Sequence, residues 1–90
     1  MPEISARLIR RIEQDFPDEG SAAEVVRLVD KADESERVQA AIVLWSRGDL
    51  HRLRDALDLA KHDWRDVLVR AELADDDWPI KLDEALGGEG

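Results

Sequence analysis

GDLHRLRDALDLAKHDWRDVLVRAELA, residues 48–74, is the stretch whose reading decides the fold. Within it Leu50, Leu53, Leu57, Ala60, Trp64, Val67, Ala71 and Ala74 alternate spacings of three and four without a slip. Taken alone, that seam describes one helix of about 25 residues, ~38 Å long at 1.5 Å per residue. The competing reading puts a corner at Lys61-His62-Asp63 and makes two helices of about a dozen residues each. Lys61 and His62 suit the negative end of a helix, and Asp63 with Asp66 suits the positive end of the next. A ~38 Å rod would also overhang a domain of this size. The corner is the preferred reading.

Working outward, Gly48 supplies a left-handed C-cap for the preceding helix, and Asp49 an N-cap for the following one. Asp49 belongs to a cadence: Ser21, Ser35, Asp49, Asp63 and Asp77 stand fourteen residues apart, and each reads as an N-cap. Fourteen residues is about four helical turns, so the chain is cut into short helices of common length, which needs no internal duplication. Upstream, Ile4, Leu8, Ile12 and Phe16 share one face of a helix over 3–15, which stops before Pro17. Ser21 and Glu24 have capping-box spacing and open a helix over 21–33 that buries Ala22, Val25, Val26, Val29 and Ala32. The acidic run Asp33-Glu34-Ser35-Glu36 leads into a helix over 35–47, buried along Val38, Ala41, Ile42 and Trp45. Helices over 49–61 and 63–74 follow. A last one over 78–86 has Pro79 at its first position, Trp78 as its cap, and Ile80, Leu82 and Leu86 facing the core. No segment alternates like a strand. The expectation is an all-α, compact array of five or six short helices with very short connections. It forms a single domain over 1–86 with a Gly-rich tail at 87–90.

Composition narrows the function classes. Ninety residues bury only ~60–65 % of the unfolded surface, which leaves no room for a second domain or a deep, enclosed active site. The net charge is −9, and seven of the 22 acids fall in the last twenty residues beside Lys81 alone. That balance disfavours nucleic-acid and anionic-membrane partners and favours a basic protein surface. With no Cys there is neither a disulfide framework nor thiolate chemistry. The chain shows no apolar leader and no membrane-spanning stretch, so the expected location is cytoplasmic. Ten Arg against three Lys, with no Thr, Asn or Tyr, fits a GC-rich bacterial genome.

Three groups of residues are candidates for function. His51, Asp55, Asp58 and His62 are spaced i, i+4, i+7, i+11, and imidazole and carboxylate groups one turn apart can chelate divalent metal or hold a small ligand. The same spacing describes an ordinary solvated helix face. Trp45 and Trp64 occupy seam positions and read as core, whereas Trp78 stands beside the acidic segment Asp75, Asp76 and Asp77, where a docking surface can form. Arg7, Arg10 and Arg11 make the first helix locally basic, and Arg47, Arg52 and Arg54 surround Gly48. Pairing with nearby acids, such as Asp66 with Arg70, accounts for such residues better than phosphate binding does. No nucleophile–base pair, phosphate loop or carboxylate in an apolar pocket is legible, so the pattern points away from an enzyme and from any cofactor. A small core with apolar residues on several helix faces can also complete itself by dimerising.

The central stretch carries a resemblance. Glu36-Arg37-Val38-Gln39-Ala40-Ala41, Gly48-Asp49-Leu50 with Leu53, Ala60-Lys61, Asp63-Trp64-Arg65-Asp66-Val67-Leu68 and Ala71-Glu72 resemble a family of small bacterial helical proteins of unknown function. The resemblance spans about residues 35–73, with Tyr more often at the position of Trp64. It implies a stand-alone helical protein without catalytic residues, and a corner at the polar-to-aromatic step Asp63-Trp64. The expected role is protein–protein contact or regulation. Its surfaces are the face bearing Arg65 and Asp66 and the segment from Asp75 to Trp78.

Overall fold

The computed structural model describes residues 4–32 and 35–87, which form five helices and, among the described residues, no strand. They are α1 (Ala6–Asp15), α2 (Glu19–Ala32), α3 (Glu36–Ser46), α4 (Leu50–Arg70) and α5 (Trp78–Leu86). Residue 3, the acidic pair at 33 and 34, and the tail beyond 87 lie outside the described residues.

The corner forms. Inside α4, Asp63 leaves helical geometry (φ −155°, ψ 88°), which divides it into limbs over residues 50–62 and 64–70. The carboxylate of Asp63 accepts from the amides of Arg65 (3.1 Å) and Asp66 (3.4 Å), so Asp63 N-caps the second limb. His62 closes the first limb by donating from Nδ1 to the Asp58 carbonyl at 2.9 Å; a carbonyl only accepts, so Nδ1 carries the proton.

The other boundaries follow the capping chemistry, with corrections. α1 starts at Ala6 rather than at residue 3, because Ser5 caps it by accepting from the Leu8 amide at 3.3 Å, and α3 runs from Glu36 to Ser46 rather than over 35–47. α2 starts at Glu19 rather than at residue 21, because the Asp18 carboxylate caps it by accepting from the Ser21 amide and hydroxyl (3.3 and 3.1 Å). A carboxylate outcompetes a hydroxyl at the positive end of a helix, and Ser21 becomes a first-turn residue. The second limb ends at Arg70 rather than at residue 74. The Leu73 amide bonds the Leu68 carbonyl (2.8 Å) and the Glu72 amide bonds that of Val69 (3.2 Å), a Schellman stop with Glu72 at φ 62° where Gly is usual. The connection to α5 therefore runs over seven residues, 71–77, instead of three. α5 begins at Trp78 with Asp77 in the cap position and Pro79 one place further in, where the missing N–H still costs nothing.

Asp49 caps α4 as expected, its carboxylate accepting from His51 and Arg52. The α3–α4 turn needs Gly48 twice over. Its φ is 78°, and a Cβ there would lie 2.8 Å from the carbonyl oxygen of Asp15 at the end of α1. That close approach brings α1 against the turn.

α3 is the centre of the array. Ala40 and Val43 are buried along with Val38, Ala41 and Ile42, so it is enclosed nearly all round and packs most extensively on α4. Leu8, Ile12, Val25, Val29, Leu53, Val67, Leu73 and Leu82 close around it, giving a radius of gyration of 11.7 Å. Fully burying each such side chain contributes about 1.5–3 kcal/mol. Five residues expected on buried faces are exposed instead: Ala32, Leu50, Trp64, Ala74 and Ile80. Ile80 is 63 % exposed, and Trp64, the first residue after the break at Asp63, is 45 % exposed although the seam resumes at the buried Val67.

The polar cluster at one end was not anticipated. Arg7, expected to pair with nearby acids, is only 9 % exposed and finds its acids on other helices. Its Nε and Nη2 donate to both Glu36 oxygens (2.9 and 2.7 Å), and its Nη1 to Asp83 (2.6 Å) and the Gly87 carbonyl (2.9 Å). Ser5 caps α1 and also donates to Glu36. One turn on, Arg11 pairs with Asp15 and donates to the Ala85 carbonyl at 3.1 Å. Two arginines of α1 thus satisfy carbonyls at the negative end of α5. Hydrogen bonds to Glu36, then to Asp83, raise the Arg7 pKa; the bond from Arg7 is the main cause that lowers that of Glu36.

Candidate functional site

The corner of α4 places the expected contact residues in three settings. Trp64 is the first residue of the second limb, nearly half exposed. The guanidinium of Arg65 lies over its ring, 5.3 Å from the centroid, which orients both groups. Val69, one turn after Arg65 on the same face, is 61 % exposed. The result is a solvent-exposed aromatic–cation pair, with an exposed aliphatic group one turn beyond the cation. Asp66, by contrast, is taken up within the limb, pairing with Arg70 at 3.0 Å.

The acidic segment is exposed through Ala74, Asp75, Asp76 and Asp77. Lys81 stands 3.9 Å from Asp75 and 3.8 Å from Asp77, distances that only partly offset their charge at this exposure. Trp78 is half-buried. Arg37 covers its ring at 4.7 Å and donates to the Leu73 carbonyl at 2.8 Å, so one side chain of α3 fixes both ends of the connection. Trp78 therefore anchors the acidic loop rather than presenting a free face.

Trp45 is half-buried, in keeping with its place beside the core, and Arg52 lies over it at 4.5 Å while donating to its carbonyl. A groove of about 530 Å³ beside it is lined by Asp55, Asp58, Leu59, His62 and Arg70. Three of the four residues of the expected chelating face meet there; His51 does not, and all four are exposed. Among the described residues no group of three or more His, Asp or Glu is placed to hold a metal ion. Arg70 stands among the carboxylates, and Nδ1 of His62 is committed to the backbone.

Sequence reasoning identified Arg65 and the acidic segment but assigned Trp64 to the core and passed over Val69. The signal for Trp64 was Asp63: once it caps a new helix, Trp64 is a first-turn residue of that helix rather than part of one continuous rod. Among the described residues no helix is long and apolar enough to cross a membrane. Family models, curated proteins and solved structures were all compared with this chain, and none matches.

Proposed function

We propose that this chain is a small cytoplasmic interaction module that docks a basic partner protein through the corner of α4. The observation that carries the reading is Trp64, 45 % exposed with Arg65 stacked on it. Trp and Arg dominate the binding energy of protein interfaces, and a stacked pair enters an interface with little side-chain freedom left to lose. The exposed carboxylates of Asp75, Asp76 and Asp77, within a chain of net charge −9, attract a basic surface and raise its rate of encounter. The resemblance over residues 35–73 implies the same kind of protein, helical and without catalytic residues.

Affinity capture from lysate tests this, with wild type, Trp64→Ala, and a variant carrying Asp75→Asn, Asp76→Asn and Asp77→Asn. A hot-spot tryptophan is worth at least ~2 kcal/mol, so Trp64→Ala weakens the captured partner by about 30-fold or more. The triple variant lowers capture mainly at low salt. Identical partner sets from all three proteins would overturn the reading. The competing reading, metal held by His51, Asp55, Asp58 and His62, predicts shifted His ring signals when Zn²⁺ is added. Docking through Trp64 predicts none.

A further inference from the structure

The groove between α2 and the first limb of α4 departs from the charge of the rest of the molecule. Leu28 and Ala32 of α2 and Leu57 of α4 form its apolar lining, and Lys31, Arg54 and Lys61 stand around it, enclosing about 530 Å³. Two carboxylates, Glu24 and Asp58, also line it, so the groove carries three cations against two anions in a chain of net charge −9. None of these three cations is in an ion pair among the described residues. Among the thirteen Lys and Arg, Arg7, Arg11, Arg70 and Lys81 are in ion pairs, and Arg37, Arg52 and Arg65 lie over tryptophans. Six make neither contact among the described residues, and three of those six line this one groove.

The spacings explain the convergence. Leu28, Lys31 and Ala32 fall at i, i+3, i+4 on α2, and Arg54, Leu57, Asp58 and Lys61 at i, i+3, i+4, i+7 on α4. Each helix thus turns one mixed face toward the same space. Leu28 and Leu57 are half-buried, so their packing is incomplete on the groove side. The volume falls within the range of small-molecule sites, about 300–1,000 Å³.

We propose that this groove binds a single-chain anionic amphiphile of the fatty-acid type. The acyl chain lies along Leu28, Ala32 and Leu57, and the carboxylate is held by the rim of Lys31, Arg54 and Lys61. A lysine ammonium is a compact charge on a flexible stem, and it can follow a headgroup while its methylenes cover the chain.

The test is a titration of the ¹⁵N-labelled full chain with octanoate, decanoate and dodecanoate below their micelle-forming concentrations, read by amide shifts. The expected result is saturable shifts concentrated at residues 28–32 and 54–61. Affinity should tighten by up to about fourfold per added CH₂ until the groove is filled. Dodecyltrimethylammonium, with the same chain and the opposite charge, should bind at least tenfold more weakly. Lys31→Glu combined with Lys61→Glu should lose dodecanoate binding by at least tenfold while keeping a cooperative thermal transition, since both lysines are exposed and neither is in an ion pair among the described residues. Trp64→Ala should leave amphiphile binding unchanged, which separates this site from the partner surface. No saturable shift at millimolar dodecanoate, equal binding of the cationic amphiphile, or an unaffected double variant would each overturn the proposal.

Discussion

Replacing Arg7 by Met tests whether the polar cluster at the end of α1 holds the array together. Met keeps most of the side-chain volume and removes four hydrogen bonds: two to Glu36, one to Asp83 and one to the Gly87 carbonyl. Removing one partner of a buried ion pair costs about 3–5 kcal/mol, because the other charge stays desolvated. Here the carboxylates are less trapped, with side-chain exposures of 30 % for Glu36 and 55 % for Asp83, so both recover water once Arg7 is gone. The expected loss is therefore ~2–3 kcal/mol at pH 7, or roughly 10–20 °C in Tm for a domain of this length. The loss should also depend on pH. Arg7 holds the Glu36 carboxyl below its usual value of 4.5. The unfolded chain binds that proton more readily than the folded one, so stability rises with pH through this window. The contribution is complete above about 4.5 and disappears as pH falls through the lower folded value. Urea titrations followed by far-UV circular dichroism at pH 7 and pH 3 measure both effects. Wild type and variant should differ most at pH 7, and the difference should narrow as the pH falls below 4.5. A difference below ~0.5 kcal/mol at pH 7, the range of an ordinary surface substitution, would refute the clamp.

Three further outcomes follow from the turns and the last helix. Gly48→Ala places a Cβ 2.8 Å from the Asp15 carbonyl at a φ of 78°, and urea denaturation should show a loss of ~2 kcal/mol. Glu72→Gly relieves a left-handed residue at φ 62° and should stabilise by ~0.5–1 kcal/mol, visible as a Tm raised by a few degrees. Truncation after Ala74 removes the buried Leu82 and Leu86 and leaves Arg7 without Asp83 and Gly87, so the cooperative thermal transition should be lost. A truncated chain that still melted cooperatively would show that α5 is dispensable to the core.

Much of the fold was legible because caps and stripes are local chemistry. Gly48 and Asp49 mark their turn unambiguously, and the Ile4, Leu8, Ile12, Phe16 stripe is buried as its spacing requires. Asp63 was legible as a corner because its carboxylate reaches amides only two and three residues away. At Asp18 and Ser21 two capping residues stand three apart, and spacing alone does not rank a carboxylate above a hydroxyl. The stop at Glu72 was illegible because the left-handed position holds a residue that rarely adopts it. The pairing of Arg7 with acids was legible but its partners were not: they lie 29, 76 and 80 positions away, and no periodicity reports such distances. The candidate surface was half legible. Arg65 and the acidic loop were visible as exposed polar groups, whereas Trp64 was hidden by a seam that continues across the corner without a gap.

That break is the hinge of the account, since a continuous helix would return Trp64 to the seam and remove the contact surface built on it. The three-bond coupling between the amide and α protons of Asp63 reads its φ directly. An extended value near −155° gives a large coupling at Asp63 between small, helical couplings at His62 and Trp64. Small couplings without interruption from Leu50 to Arg70 would contradict it.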